Sequence, residues 1–310
     1  MKQKVEVAAA VLQRPDGSFL LAQRPDGKDY KGYWEFPGGK IELGESTRQA
    51  LCRELYEELG ITVLTASPWL LREYIYPHAT VKLHFFRVFS WQGEPHGREG
   101  QRLSWQQLPH LSVRPILPAN TPIIRALSLP NVYAVSNAAA LGRDEFMKRL
   151  ERALQNGLRF VQVREKNLPG DALLEFSQQV VGLAHRYAAK VLINADEELA
   201  GSVGADGVHY TSSQLMSCNK RPSFDWCAAS CHNTEELRRA RESGFDFAVL
   251  SPVLPTQSHP GEPHLGWKKF AELAAGASLP IYALGGLTAE ELNVARQHGA
   301  QGISLLSNAW

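Results

Sequence analysis

Apolar and polar residues alternate along the chain in two different rhythms. In the first part, apolar runs predict four strands, at 5–12, 18–23, 69–76 and 81–91. One helix is predicted among them, at 46–59, with Ser46 as its N-cap and Gly60 as its stop signal. The turn Pro15-Asp16-Gly17 predicts that the first two strands form a hairpin. This pattern indicates an α+β domain.

The second rhythm begins after a segment rich in proline, near residue 130. Short apolar runs here alternate with helical or loop segments, which is typical of parallel strands joined by crossovers. Eight strands are predicted, at 132–135, 160–164, 191–194, 207–210, 226–231, 247–253, 281–285 and 302–306. Eight such units predict an α/β barrel of the (β/α)8 type. We therefore place a domain boundary at Leu129–Pro130, with domains at 1–129 and 130–310.

Bulk composition narrows the function classes. The chain is 44% hydrophobic and 21% charged, which is ordinary for a globular protein. Its 33 basic and 32 acidic residues give a net charge of +1, so direct binding to nucleic acid or to a membrane surface is not expected. The N-terminus lacks the anatomy of a signal peptide, and no apolar run approaches a membrane span. The expected location is the cytoplasm.

Three glutamates form an acidic stripe on the predicted helix. Glu54, Glu57 and Glu58 stand at positions i, i+3 and i+4, which lie on one helix face. We expect them to converge and to bind a hard divalent cation, Mg²⁺ or alternatively Mn²⁺. The simpler alternative is a solvated acidic face with no ligand.

The context of this stripe resembles the Nudix hydrolase family. The chain fills the pattern G-x5-E-x7-R-E-U-x-E-E-x-G-U, where U is aliphatic, from Gly39 to Ile61. The resemblance implies a mixed sheet with flanking helices and a metal-dependent attack of water on a diphosphate linkage. Glu54, Glu57, Glu58 and the carbonyl of Gly38 would bind the metal, whereas Arg53 would orient the acids and Glu45 would support Arg53.

Short segments outside the helix resemble the 8-oxo-dGTP diphosphatases of the MutT type. They lie at 34–40, 93–95, 99–101 and 118–120. The resemblance implies that Glu99 is a further metal ligand or a general base, unless it is an ordinary loop glutamate. Asn120 would recognise the base through its carboxamide, which offers one donor and one acceptor. These match the O6 acceptor and N7–H donor of 8-oxoguanine, whereas guanine presents acceptors at both O6 and N7. The alternative for Asn120 is a turn residue. Arg24 would contact the phosphate or base of the nucleotide, unless it is a solvated arginine at the end of a strand. Phe36 would line the base pocket or belong to the core.

The second part resembles thiamine phosphate synthase and its thiazole tautomerase relative. The resemblance lies in the segments 162–166, 204–209, 251–256 and 283–286. It implies a phosphate site at the carboxyl ends of the barrel strands. The residues that match this site are Gln162, Arg164, Lys166, Gly285, Gly286 and Ser307.

Departures from the synthase pattern concern the metal. Ala195 and Gln214 stand where the synthase has aspartates that would bind magnesium, and Ser258-His259 replaces a Thr-Lys pair. Pro252 occupies the place of the tautomerase histidine. The barrel is therefore expected to lack ordinary synthase activity and to bind a ligand or serve a structural role. Altered chemistry, or a metal bound by other residues, are the alternatives.

The leading functional hypothesis is a hydrolase that converts 8-oxo-dGTP to 8-oxo-dGMP and pyrophosphate and so keeps oxidised guanine out of replicating DNA. One alternative is a Nudix hydrolase of thiamine diphosphate or its precursors. Another is a hydrolase regulated by a barrel that binds thiamine phosphate.

Overall fold

The computed structural model describes residues 3–77, 79–256, 261 and 263–310. The chain divides into two compact units, Met1–Leu129 and Pro130–Trp310. No helix in the described ranges is long and apolar enough to cross a membrane.

The first unit contains two sheets, two helices and a 3-10 turn. One sheet has four strands in the order β4-β1-β6-β5, and the other has three in the order β3-β2-β7. The elements are β1 (Gln3–Leu12), β2 (Phe19–Gln23), β3 (Trp34–Glu35), β4 (Gly38–Lys40), α1 (Thr47–Leu59), β5 (Thr62–Ile75), β6 (Ala79–Gln92), β7 (Leu103–Gln106), a 3-10 turn (Pro118–Asn120) and α2 (Thr121–Leu127). In the four-stranded sheet, β1 pairs in parallel with β6 and antiparallel with β4, so the sheet is mixed, as predicted.

The predicted hairpin of the first two strands was wrong. β1 and β2 belong to different sheets and share only a single bridge, between Gln13 and Phe19. Both edges of β1 are already paired, with β4 and β6, and both edges of β2 are paired, with β3 and β7. The turn chemistry at 15–17 therefore reverses the chain without choosing the strand partner.

Helix α1 is defined at both ends by its caps. The Ser46 hydroxyl accepts from the backbone of Gln49, whose side chain accepts in turn from the Ser46 backbone, which forms a capping box. At the other end, Gly60 adopts the left-handed conformation with φ 68°. The buried face of the helix packs into a core that includes Leu51 and Leu55, so its glutamates face the opposite side.

The second unit is a closed barrel of eight parallel strands, in the order β10-β11-β12-β13-β14-β15-β8-β9, and confirms the predicted fold class. Its strands are β8 (Val132–Val135), β9 (Phe160–Val163), β10 (Lys190–Asn194), β11 (Gly207–Tyr210), β12 (Trp226–Cys231), β13 (Phe247–Leu250), β14 (Ile281–Leu284) and β15 (Gly302–Leu305). Its helices are α3 (Ala138–Leu141), α4 (Arg143–Gln155), α5 (Gly170–Arg186), α6 (Glu197–Ser202), α7 (Ser212–Ser217), α8 (Thr234–Glu242), α9 (Gly266–Ala275) and α10 (Leu292–Gln297). Tyr133, Phe160, Phe247 and Tyr282 are fully buried and pack their rings against one another.

Candidate functional site

The glycine pair Gly38-Gly39 lets the chain pass close to the glutamate helix. Strand β4 pairs with β1, and Gly38 takes a φ of 144°, a conformation that favours glycine. A Cβ on Gly38 would lie 2.1 Å from the carbonyl oxygen of Ala8, and one on Gly39 would lie 2.1 Å from the carboxyl carbon of Glu54. The absence of both side chains therefore keeps β4 in register and leaves room for the Glu54 carboxylate.

Arg53 links most of the acidic residues around the helix. Its Nε and Nη2 donate to the two carboxylate oxygens of Glu45, at 2.8 and 2.9 Å. Its Nη1 donates to Glu54 at 2.9 Å and to Glu57 at 3.1 Å. The hydrogen bonds from Arg53 lower the pKa of Glu45 to about 2. The predicted association of Arg53 with these acids is thus visible in the geometry.

Glu58 has a different environment from its neighbours. The Gly38 N–H donates to its Oε2 at 3.2 Å, and Gln101 Nε2 donates to its backbone carbonyl at 3.1 Å. Burial raises the pKa of Glu58 to about 7, although the nearby charge of Lys28 acts in the opposite direction. A nearby cation, like the hydrogen bond from Gly38, favours the ionised form of such a buried carboxyl group.

Glu99 reaches the same cleft from the loop after β6. Its backbone N–H donates to the side chain of Gln101 at 2.8 Å, which ties the loop to the end of α1. Its carboxylate accepts from Lys28 Nζ at 3.1 Å and remains about half exposed. The cleft brings Gly38, Glu58 and Glu99 together, but its lining includes neither Glu54 nor Glu57.

The expected convergence of the three helix glutamates is visible only in part, because Glu54 and Glu57 meet at Arg53 and Glu58 does not. Arg53 holds Glu54 and Glu57, whereas Glu58 turns to the Gly38 N–H. Across the described part of the chain, no three His, Cys, Asp or Glu side chains form a group arranged to hold a metal ion. Like charges at helical spacing repel, so each carboxylate needs a donor. Glu54 and Glu57 share Arg53 Nη1, whereas Glu58 accepts from the Gly38 N–H.

The donor set nevertheless fits a hard divalent cation. All of its members supply oxygen, namely the carboxylates of Glu54, Glu57, Glu58 and Glu99 and the carbonyl of Gly38, and Mg²⁺ prefers oxygen ligands. The space that Gly39 leaves beside Glu54 and the burial of Glu58 support the same fit.

The two predicted substrate contacts in the first strands have partners inside the protein. Arg24 Nη1 donates to both carboxylate oxygens of Glu35, at 2.7 and 2.6 Å, and its Nε donates to the Asp29 carbonyl at 2.6 Å. The predicted nucleotide contact Arg24 is therefore engaged in a partly buried ion pair. Phe36 is 3% exposed and packs against Phe19 and Phe85, so the core alternative for it is correct.

Asn120 differs from these residues because its side chain makes no cap hydrogen bond, although the residue is largely buried. It ends a 3-10 turn, and the preceding backbone is tied to the sheet by the bond from Leu117 N–H to the Trp34 carbonyl at 2.8 Å. The residue is 3% exposed, and its carboxamide makes no hydrogen bond to any residue that the structure describes. The amide atoms are not among the fully buried polar atoms without a partner in the described chain, so they remain accessible to a ligand.

Lys28, Glu35 and Gln101 belong to the cleft although the sequence interpretation gave them no role. Gln101 lay within the matched segment 99–101, so a signal for it existed. For Lys28 the sequence contained no such signal, because its partner Glu99 is 71 positions away.

A pocket of about 580 Å³ opens at the carboxyl ends of the barrel strands. Five of the six predicted phosphate-site residues line it, namely Gln162, Arg164, Gly285, Gly286 and Ser307, whereas Lys166 is exposed and is not part of the lining. A Cβ on Gly286 would lie 2.3 Å from the Pro255 carbonyl, so only glycine fits there.

This pocket does not fit the magnesium that the synthase resemblance implies. Gln214 caps α7 and donates from Nε2 to the Ala195 carbonyl at 2.8 Å, so neither residue supplies a carboxylate. Within the described lining there is no aspartate or glutamate. Glu165 follows Arg164, but its carboxylate accepts from Ser136, Ala138 and Ala139. Ser258-His259 lies outside the described residues.

His209 lines the pocket as a neutral side chain. Its Nε2 is 2.9 Å from Ser230 Oγ, and its Nδ1 is 3.2 Å from the Tyr133 hydroxyl. Burial, together with the charge of Arg164, lowers the pKa of His209 to about 3. Arg164 is the one arginine or lysine in the described lining.

The first unit thus brings a glycine loop to a helix with three glutamates beside a mixed sheet, and the oxygen ligands there suit a hard cation. A closed parallel barrel with a pocket at its carboxyl face is the arrangement of enzymes that bind phosphorylated ligands.

The NUDIX domain model matches residues 3–127, and the thiamine monophosphate synthase model matches residues 132–309. An 8-oxo-dGTP diphosphatase of Haemophilus influenzae is 40% identical over 41% of this chain and 93% of that protein. A CTP pyrophosphohydrolase of Escherichia coli is 41% identical over 39% of this chain and 90% of that protein. A protein of Aquifex aeolicus, provisionally named thiamine-phosphate synthase 2, is 36% identical over 58% of this chain and 98% of that protein.

The chain thus belongs to the Nudix family through its first unit and to the thiamine monophosphate synthase family through its second. The first unit is a hydrolase of the Nudix type.

Proposed function

We propose that the first unit hydrolyses 8-oxo-dGTP to 8-oxo-dGMP and pyrophosphate. Asn120 carries this assignment, because its carboxamide makes no cap hydrogen bond, is not closed off from solvent among the described residues, and offers one donor and one acceptor. In 8-oxoguanine, O6 accepts and N7–H donates, so both groups of the amide find a match. With guanine, the amide N–H₂ finds acceptors, but its oxygen faces the lone pair of N7. The similarity to an 8-oxo-dGTP diphosphatase supports the same substrate.

Glu54, Glu57, Glu58, Glu99 and the Gly38 carbonyl are the residues that would hold Mg²⁺, or Mn²⁺ in its place. When bound, the cation neutralises phosphate oxygens and lowers the pKa of water for attack on the diphosphate. Nudix hydrolases generally need such a divalent metal.

The side chains around these donors position the reacting groups. Arg53 fixes the carboxylates of Glu54 and Glu57 through hydrogen bonds of 2.9 and 3.1 Å. Gln101 fastens the Glu99 loop to the end of α1, so Glu99 faces the cleft either as a metal ligand or as the base that accepts a proton from water. Water adds its oxygen to phosphorus, one phosphate anhydride bond breaks, and pyrophosphate leaves.

The test compares pyrophosphate release from 8-oxo-dGTP, dGTP and CTP with orthophosphate release from thiamine diphosphate, all at saturating Mg²⁺. We expect 8-oxo-dGTP to have the highest kcat/KM. Equal values for 8-oxo-dGTP and dGTP would reject recognition of the oxidised base. A preference for CTP would follow the similarity to a CTP pyrophosphohydrolase instead, and a preference for thiamine diphosphate would support the alternative substrate. A role on the nucleotide pool also supports the cytoplasm as the location.

For the second unit, we propose a site for a phosphate ester such as thiamine phosphate, without synthase activity. The observation that favours it is a lining with Arg164 but no carboxylate among the described residues. A cationic pocket of this composition binds an anion directly, whereas a pyrophosphate-releasing synthase needs magnesium beside its substrate. Thiamine phosphate is expected to bind the full chain by calorimetry in the presence of EDTA, and Arg164→Ala should abolish the heat. Formation of thiamine phosphate from its two precursors would reject the proposal.

A further inference from the structure

Lys28 lies on the loop between β2 and β3 and reaches the acidic side of the hydrolase cleft. Its Nζ is 3.1 Å from Glu99 Oε2. Its charge also lowers the pKa of Glu58 and of Glu35, against the larger and opposite effect of burial on both. Among the described residues that line this cleft, Lys28 is the one lysine or arginine. A single ammonium group therefore faces three carboxylates.

The arginines of the first unit's site are held by several bonds each. Arg24 bonds to Glu35 and to the Asp29 carbonyl, and Arg53 bonds to Glu45, Glu54 and Glu57. In contrast, Lys28 makes one ion pair, and the side chains on both sides of it are nearly half exposed, at 46% and 47%. Exposed pairs of this kind are weak, so Lys28 exchanges one anion for another at little cost.

We propose that Lys28 is a movable counter-ion, which holds Glu99 before metal binds and pairs with the substrate's triphosphate once the metal occupies the carboxylates. The inference rests on the proposed metal-dependent hydrolase. Lysine suits this exchange because its ammonium is a compact point charge on a flexible stem, whereas an arginine fork prefers a fixed bidentate partner.

Two consequences distinguish a movable counter-ion from a structural lysine. First, Lys28 and the divalent cation compete for Glu99, so removal of the ammonium should strengthen metal binding in the absence of nucleotide. Second, the ammonium helps to bind the triphosphate, so its removal should raise the KM for nucleotide. If Lys28 only supported the loop, its removal would neither strengthen metal binding nor raise the KM selectively.

The experiment compares Lys28→Met and Lys28→Arg with Lys31→Met in the full chain. Lys31 is a matched control, because it stands on the same loop in an exposed pair with Asp26, at 3.0 Å. Mn²⁺ binding without nucleotide is measured by electron paramagnetic resonance, and kcat and KM are measured for the best nucleoside triphosphate. For Lys28→Met we expect Mn²⁺ binding about threefold tighter and a KM about tenfold higher, with kcat within about twofold of the wild type.

Lys28→Arg should restore the KM to within about threefold of the wild-type value, because it keeps the charge. Lys31→Met should change neither quantity. The inference is overturned if Lys28→Met leaves both Mn²⁺ affinity and KM unchanged, if it lowers kcat alone, or if Lys31→Met gives the same shifts. A wild-type chain that binds no Mn²⁺ and cleaves no nucleoside triphosphate would instead overturn the proposed function, and this inference with it.

Discussion

Gly39→Ala tests whether the position of the Glu54 carboxylate matters, because it moves that group and little else. Gly39 is not among the glycines with positive φ, so its backbone accepts alanine without strain. The new Cβ would lie 2.1 Å from the carboxyl carbon of Glu54, and ordinary contact begins near 3.4 Å. The carboxylate must therefore move by about 1.3 Å.

A displacement of about 1 Å at a reacting centre is enough to reduce catalysis on the order of a hundredfold. We expect kcat/KM of Gly39→Ala to fall by that factor, which corresponds to about 2.7 kcal/mol of transition-state stabilisation. Folding should change by less than about 1 kcal/mol, because a carboxylate at the end of a flexible side chain can yield. The hydrogen bond from Arg53 to Glu54 should be lost along with the metal geometry.

Two other glycines calibrate the measurement. Gly38→Ala places its Cβ against the Ala8 carbonyl at a φ of 144°, so it should destabilise the first unit by at least about 2 kcal/mol. Gly182→Ala, in helix α5, meets no atom within 4 Å and should leave hydrolysis unchanged. Pyrophosphate release and urea unfolding are followed for all three variants. If Gly39→Ala keeps kcat/KM within about threefold of the wild type while its fold is intact, Glu54 is not a ligand whose position matters.

Three further predictions follow. Glu57→Gln should lower kcat by about a hundredfold or more without changing the unfolding midpoint, because Glu57 is half exposed and contributes charge to the metal site; activity near the wild-type level would place the metal elsewhere. Asn120→Ala should reduce the preference for 8-oxo-dGTP over dGTP by about ten- to a hundredfold, as expected for loss of a bidentate base contact, and an unchanged ratio of kcat/KM values would reject that contact. The pKa of His209 is lowered from 6.5 to about 3, so the stability of the second unit should be full above pH 6.5 and fall as the pH drops toward 3. His209→Gln should flatten this pH dependence in urea unfolding, and an equal slope in both proteins would contradict the assignment.

Much of the local structure was predictable because its causes are local. Ser46 and Gly60 mark the ends of α1 through their own hydrogen bonds and backbone conformation, and the structure confirms both. The barrel strands are likewise short apolar runs between turn signals, and all eight were predicted with at most small errors in their ends.

The errors concern choices that depend on distant residues. The turn at 15–17 suggested a hairpin, but both edges of β1 pair with other strands, β4 and β6. Such pairing depends on the whole sheet and not on the turn. For Arg24, no sequence signal marked the acidic partner Glu35, and its nucleotide contact stays a prediction. Helical spacing placed the three glutamates on one face correctly, yet it did not show that Arg53 and Gly38 would hold them separately.

The two candidate sites differ in charge, although a phosphate-bearing ligand is proposed for both. In the hydrolase cleft, described carboxylates outnumber the single ammonium, so a phosphate chain can approach only when a divalent cation reverses the charge. At the barrel mouth, Arg164 faces a lining without described carboxylates, so a phosphate group can approach without any metal. A chelator should therefore affect the two units differently. It should abolish hydrolysis by the first unit and leave phosphate binding by the barrel intact. If EDTA abolished both hydrolysis and phosphate binding, the barrel would need a metal for its ligand even though Ala195 and Gln214 stand in place of the aspartates.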